Sequence, residues 1–100
     1  MEITHDERKH WFWTEVDNHL AHVAYELDDK GGLDIKHTVV PEEIGGRGIA
    51  SSLVREAYNY ARANGLKPVA TCSYAVRWLE KHPDYEGEIN EDYKPGACAL

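Results

Sequence analysis

A glycine-rich turn in front of a helical pattern is the segment of this sequence best suited to bind an anion. Three glycines surround Arg47, and the apolar helical pattern starts at Ile49. The glycines are Gly45, Gly46 and Gly48. Glycine lets the backbone adopt a positive φ and approach a ligand closely, and the first amides of a helix have no intrahelical acceptor. The turn therefore predicts a phosphate- or pyrophosphate-binding site, and its alternative is a plain strand-to-helix turn.

A cysteine, a histidine and a tyrosine are the other candidates for chemistry. Cys72 follows a predicted strand and precedes a predicted helix, whose positive end would stabilise a thiolate; the alternative is a small buried apolar residue. His37 shares the apolar face of a predicted strand with Ile35 and Val39, so it is either a proton acceptor or a core histidine bonded to backbone. Tyr74 is a further hydroxyl near Cys72. The other histidines lack the spacing of a metal site.

Composition narrows the classes of protein. The chain has 100 residues, 29% of them charged, and a formal charge of −7, which is typical of one soluble domain. The acidic balance argues against nucleic-acid binding, and no apolar run approaches the roughly 20 residues that span a membrane. The polar N-terminus is unlike a signal peptide. We expect a cytoplasmic protein with Cys72 and Cys98 as two thiols.

The first half of the chain has the alternating period of strands. Aromatic and β-branched residues at 11–16 and alternating apolar residues at 20–27 and 33–40 predict an antiparallel meander. Turn residues separate these runs, and Pro41 ends the third. The more apolar face of the second predicted strand consists of Ala21, Val23, Tyr25 and Leu27.

The second half has the helical period. Apolar residues recur every three or four positions from Ile49, and Gly65 is placed to take the left-handed conformation after this helix. Residues 66–71 predict a short strand, and Ser73 is the expected cap of a second helix that Pro83 ends. The predicted order is β-β-β-α-β-α, an α+β fold whose crossover is long enough to join parallel strands.

The glycine turn and its surroundings resemble a known family. Val39-Val40-Pro41 followed by Gly46-Arg47-Gly48-Ile49-Ala50 resembles the strand end and pyrophosphate loop of GCN5-related N-acetyltransferases. The segment 72–85, with Trp-Leu-Glu-Lys-His-Pro-x-Tyr near its end, resembles the second motif of that family. With His37-Thr38, these segments resemble the small, single-domain branch, and the resemblance covers residues 11–85.

The resemblance implies a fold, an activity and partners. The fold would be a three-stranded meander followed by α-β-α, with a mixed sheet that splays at the cofactor site. Residues 1–85 would form the domain, and 86–100 an acidic tail that need not be ordered. The activity would be acetyl transfer from acetyl-CoA, without a metal, to a primary amine of a small molecule or peptide; the alternative is a non-catalytic CoA-binding or interaction module. We expect a monomer or weak homodimer.

The resemblance also implies site residues. The pyrophosphate would bind at the turn and helix start, and the pantetheine arm would pair with the strand end. The implied cofactor-binding residues are Thr38, Val39, Val40, Gly45, Gly46, Arg47, Gly48, Ile49, Ala50 and Ser51. Cys72 would protonate the leaving thiolate or accept the acetyl group, Tyr74 would be the alternative acid, and His37 would deprotonate the acceptor.

Two positions depart from the family pattern. Gly45 stands where the loop usually has Arg or Gln, so one side-chain contact to phosphate is absent. Leu79 stands where the usual acid is Tyr, and leucine cannot protonate a thiolate. The net charge of −7 further predicts a cationic acceptor.

Overall fold

Alternating residues in the first half of the chain form the antiparallel meander that the sequence predicted, with one additional strand. The computed structural model describes residues 1–93. The first four strands are β1 (Thr4–Asp6), β2 (Trp11–Val16), β3 (His19–Leu27) and β4 (Gly32–Val39). Adjacent strands among these four pair antiparallel. Asp17 and Asn18 both have positive φ, as a two-residue hairpin turn between β2 and β3 requires. The short β1 was not predicted.

The second half alternates helices with parallel strands. Its elements are α1 (Ile49–Ala63), β5 (Lys67–Ala70), α2 (Ser73–Lys81) and β6 (Glu88–Ile89), with short 3-10 turns at Glu42–Ile44 and Pro83–Tyr85. β5 lies parallel to β4, and β6 lies parallel to β5. The six strands form one mixed sheet in sequence order, which confirms the predicted fold class.

The predicted C-terminal end of α1 is confirmed, whereas the predicted N-terminal cap of α2 is wrong. Gly65 follows α1 with φ +71°, the left-handed conformation that the sequence predicted. Ser73 is not the cap of α2: the N-cap is Cys72, and no side chain of the described residues caps this helix. Ser73 already lies within the helix, so the capping position is one residue earlier than predicted.

Both helices pack on one face of the sheet. The inward residues of β3 are buried, as predicted for Ala21, Val23 and Tyr25, whereas Leu27 is half exposed. The Trp78 indole of α2 donates a hydrogen bond to Ser51 Oγ of α1 at 3.1 Å. The two crossover connections, β4–α1–β5 and β5–α2–β6, advance in the same direction across the sheet. When both have the same hand, their helices lie on the same side of the sheet. The opposite side, which we call the open face, carries no helix among residues 1–93.

A β-bulge in β4 changes which side chains face the core. Ala24 pairs with His37, but the next residue of β3 pairs with Ile35, so Lys36 is an extra residue on β4. A bulge shifts the alternation of side chains beyond it. Thr38 is consequently buried, and His37 is exposed. The prediction that His37 continues the apolar face of Ile35 is therefore wrong.

The sheet continues beyond residue 85. Part of the predicted acidic tail forms β6, and the backbone N–H of Asn90 donates to the Ala70 carbonyl at 2.8 Å. Residues 94–100, which include Cys98, lie outside the described residues. Within 1–93, no helix has both the length and the apolar character needed to cross a membrane.

Candidate functional site

The glycine turn enters α1 through two left-handed residues. Gly46 has φ +75° and Gly48 has φ +76°, values that residues with a side chain rarely adopt. Gly48 is the N-cap of α1; no side chain in the described part of the chain caps it, and its first turn contains no acidic residue. The Ser52 amide donates to the Gly48 carbonyl, so the amides before Ser52 have no acceptor within the helix. The turn thus presents N–H donors at the positive end of α1.

The remaining residues of the predicted loop hold the turn in place. Gly45 is extended, with φ −69° and ψ 162°, so its conformation does not require glycine. Ile49 is buried in the core and Ala50 is half-buried. Ser51 Oγ accepts the hydrogen bond from Trp78. The start of α1 is therefore fixed both by the core and by α2.

Arg47 forms an ion pair with the β2–β3 turn. Its Nη1 lies 2.7 Å from Asp17 Oδ2, and the two side chains are 49% and 66% exposed. An exposed pair of this kind contributes at most about 1 kcal/mol, so Arg47 can exchange Asp17 for a phosphate at little cost. Asp17 is 30 residues away in sequence, and no local pattern pointed to it.

β4 and β5 separate just before this turn. They pair only over Gly32–Ile35 of β4, and the amides of Thr71 and Cys72 both donate to the Ile35 carbonyl, at 3.0 and 3.1 Å. β4 nevertheless continues to Val39. Within residues 1–93, the β5-side edge of β4 thus continues for four residues past its pairing with β5. Such an edge offers backbone donors and acceptors to an extended ligand.

The three predicted strand-end residues lie along this edge. Thr38 is buried, Val39 is half-buried and Val40 packs against the core. Thr38 Oγ1 lies 3.3 Å from Cys72 Sγ, within hydrogen-bond distance for sulfur. The structure thus brings the end of β4 next to the first residue of the second predicted motif.

Cys72 and Tyr74 occupy different environments at the start of α2. Cys72 is fully buried and disulfide-bonded, which corrects the expectation of two thiols because a cysteine count does not reveal pairing. Tyr74 is 37% exposed. Tyr74 is therefore accessible to solvent, whereas the sulfur of Cys72 is enclosed.

The open face has a cavity beside the separation of β4 and β5. Its volume is about 450 Å³. The lining residues are Lys9, His10, Ala24, Tyr25, Glu26, Lys36, His37 and Thr71. His37 is exposed there, and Thr71 directly precedes Cys72. We call this space the open-face cavity; it brings the predicted base to the point where the strands part.

A buried carboxylate connects three strands at the same point. Asp34 is only 1% exposed, and both its oxygens accept from the Thr71 hydroxyl at 3.0 Å. The Asn90 side-chain amide donates to it at 2.8 Å, and Lys36 Nζ lies 3.4 Å away. Sequence reasoning missed Asp34, although a carboxylate in the middle of an apolar strand is a signal that it is paired.

His22 is a further residue that the sequence did not single out. Its ring stacks on Trp11 at 3.8 Å, and its strand neighbours place it on the open face near His37. Desolvation by burial lowers the pKa of His22, and the nearby His37 lowers it further. His22 is thus kept neutral next to the predicted base.

Comparison with known proteins identifies the family. A family model described as “GCN5-related N-acetyl-transferase” matches residues 11–88. The chain belongs to this family. A GCN5-like protein from Staphylococcus aureus, solved by NMR in solution, is 35% identical and superimposes with a TM-score of 0.69. The match covers 89% of this chain and 87% of the bacterial one.

Small vertebrate proteins are also similar to this GCN5-related chain. Human protein NATD1 is 31% identical over 85 residues, which is 83% of this chain and 75% of the human protein. Protein NATD1 of Danio rerio is 30% identical over 89 residues, which is 85% of this chain and 81% of the fish protein. Each alignment therefore includes most of both aligned proteins.

Leu79, which stands where the family usually has tyrosine, has a packing role in this fold. Leu79 is 6% exposed and packs in the core, and a Cβ added at Gly87 would lie 2.5 Å from its Cδ2. The side chain therefore fills space between α2 and the segment before β6. Among residues 1–93, no group of three or more His, Cys, Asp or Glu side chains is arranged to hold a metal ion.

Proposed function

We propose that this member of the GCN5-related family transfers the acetyl group of acetyl-CoA to a primary amine. One observation carries the proposal: β4 runs on past its pairing with β5 and leads directly into the glycine turn at the start of α1. An extended arm with an anionic end would meet a strand edge and then a cluster of amide donors. Family membership supports the same conclusion.

The residues of the turn fit a pyrophosphate. The two left-handed glycines leave the approach open, because a Cβ built at Gly46 or Gly48 meets nothing within 4 Å. We assign the pyrophosphate to the amides from Gly46 to Ala50, with Arg47 as the added cation, and the pantetheine arm to the edge at Thr38–Val40. When bound, acetyl-CoA supplies the reactive thioester.

His37 is the proposed base. Its imidazole is exposed in the open-face cavity, where an acceptor can reach the gap between β4 and β5. A neutral imidazole can remove the ammonium proton, either directly or through one water molecule. An amine must lose that proton before its nitrogen can attack a carbonyl carbon.

Cys72 and Tyr74 are the proposed acids. Cys72 lies where β5 ends, but as half of a disulfide its sulfur has no proton to donate. Its role as an acid therefore requires reduction. Tyr74 keeps its hydroxyl in either state. We expect a reductant to raise activity if Cys72 is the acid and to leave activity unchanged if Tyr74 is.

The test combines binding with turnover. Isothermal titration should show acetyl-CoA binding, and mass spectrometry should detect an acetylated amine from a panel of small amines and peptides. Cys72→Ala and Tyr74→Phe, assayed with reductant, should bind acetyl-CoA like the wild type, and one of them should lose turnover. No binding at high micromolar acetyl-CoA would refute the proposal.

A non-catalytic CoA-binding module is the second candidate. The aliphatic, buried Leu79 at the position of the usual acid favours it, as does the disulfide at Cys72. Such a module would bind acetyl-CoA and release the thioester intact in the presence of every amine tested, under reducing and non-reducing conditions alike.

A further inference from the structure

Part of the negative charge of the protein lies outside the open-face cavity. A separate groove lies where β4 and β5 begin, and five carboxylates line it together with two lysines. The carboxylates are Asp28, Asp29, Glu88, Glu91 and Asp92. Gly32 of this groove and Lys36 of the open-face cavity are four positions apart on β4, about 13 Å at about 3.3 Å per residue. The net charge of the whole chain therefore does not describe the charges that line the open-face cavity.

The open-face cavity carries both signs of charge. Lys9 and Lys36 contribute ammonium groups, and Glu26 contributes a carboxylate. Lys9 Nζ also lies 5.1 Å from the centre of the Trp11 ring, a cation–π contact that restrains this ammonium group. Because the lining carries ammonium groups and a carboxylate, the ligand it complements is small and carries one charge of each sign.

The Asp34 network holds Lys36 in position. The buried carboxylate binds Lys36, the Thr71 hydroxyl and the Asn90 amide. A group held by a buried partner loses less conformational entropy when a ligand arrives. One contact to Asp34 leaves other N–H donors of the Lys36 ammonium for an anion in the cavity.

We propose that the open-face cavity binds a small zwitterionic amine, such as an amino acid, as the acetyl acceptor. This inference rests on the proposed function. Lys36 and Lys9 bind its carboxylate, Glu26 attracts its ammonium, and His37 takes the ammonium proton. The freed nitrogen forms a bond to the acetyl carbon while the carbon–sulfur bond breaks. The second proton leaves to solvent, and the CoA thiolate takes a proton from the acid. Such a site favours the zwitterion over the cationic acceptor that the net charge predicted, because a cation without a carboxylate gives the two lysines nothing to bind.

The experiment compares β-alanine with β-alaninamide, which differ only at the carboxylate, and with spermidine. With acetyl-CoA as donor, we expect kcat/KM for β-alanine to exceed that for β-alaninamide by about tenfold, the scale of one charge-assisted contact. Lys36→Gln should raise KM for β-alanine and leave KM for β-alaninamide unchanged. Lys30→Gln, in the acidic groove outside the open-face cavity, is the matched control and should change neither.

Lys9→Gln is the second variant, because the loss of Lys36 leaves the buried Asp34 with one partner fewer and could unfold the protein. It should reduce the preference for β-alanine while the melting temperature stays at the wild-type value. Equal use of β-alanine and β-alaninamide, or a preference for spermidine, would overturn the zwitterion proposal and leave the transferase standing. If acetyl-CoA does not bind, or no amine is acetylated, the proposed function fails and this inference fails with it.

Discussion

Histidine side chains show how packing sets charge at the scale of single residues. His22 stacks on Trp11, and His5 stacks on Phe12 with centroids 4.0 Å apart. Desolvation by burial is the largest cause of a lowered pKa for both histidines. The same surroundings raise the pKa of Tyr25, whose hydroxyl bonds to His5, to about 12. These imidazoles are therefore held neutral where an exposed histidine would begin to take up a proton.

Acidification should weaken the fold through these two histidines. A lowered pKa in the folded state means that the unfolded chain binds protons first, so their contribution is complete above the ordinary histidine value of about 6.5 and is lost as pH falls below it. We expect the free energy of unfolding in urea to decrease from about pH 7.5 to pH 5. His22→Gln should show a smaller decrease than the wild type. An identical pH dependence in this variant would contradict the assignment.

NMR titration provides a control that does not depend on stability. The charge of His37 lowers the pKa of His22, so His37→Gln should raise the pKa of His22 towards its ordinary value. The titration of His5 should not respond, because His37 is not among the groups that shift it.

At the scale of elements, α1 begins and ends at glycines in the same backbone conformation. Gly48 precedes the helix with φ +76°, and Gly65 follows it with φ +71°. A Cβ at either position meets no atom within 4 Å. Substitution by alanine would therefore strain the backbone equally at both ends without causing a clash. Only the N-terminal glycine belongs to the proposed pyrophosphate site.

Alanine at these two glycines should separate stability from binding. Gly48→Ala and Gly65→Ala should each lower the free energy of unfolding by about 1 kcal/mol, the cost of a left-handed residue with a side chain. Only Gly48→Ala should weaken acetyl-CoA binding, because its strain moves the amides at the start of α1. Urea unfolding and isothermal titration measure the two effects. Equal acetyl-CoA affinity in both variants would place the anion elsewhere.

The whole molecule is acidic, yet its proposed donor is a polyanion. The formal charge is −7, and five carboxylates lie together with two lysines in the groove at the start of β4 and β5. Opposing this field are the helix N-terminus and Arg47, which act only at short range. Long-range repulsion therefore precedes short-range attraction as acetyl-CoA approaches.

Salt should accelerate the association of acetyl-CoA. Raising the ionic strength from about 0.01 M to 0.1 M shortens the Debye length from about 30 to 10 Å and screens the repulsion. Stopped-flow measurements should show a higher association rate constant at the higher salt. The double variant Glu91→Gln and Asp92→Asn should associate faster at low salt and respond less to added salt. A rate that falls with salt would show that attraction dominates instead.

The sequence by itself determined the order and type of most elements and the family of the chain. Alternation specifies β2 to β4, the helical period specifies α1 and α2, and the glycines mark the turn at Gly48 and the end at Gly65. These features depend on residues that are neighbours in the chain, because local backbone preferences and the burial of one face act over a few positions. The glycine turn was visible for the same reason.

Only the tertiary structure decided which side chains meet at the candidate site. Because of the bulge at Lys36, His37 lies on the open face and not on the expected apolar face. Asp34 accepts hydrogen bonds from Thr71 and Asn90, which are 37 and 56 residues away in sequence. The free energy of packing the whole sheet against both helices sets the strand register and these distant pairs. Patterns of neighbouring residues in the sequence carry no information about that packing. The sequence therefore predicted the frame of the site, and the folded sheet selected the side chains that line it.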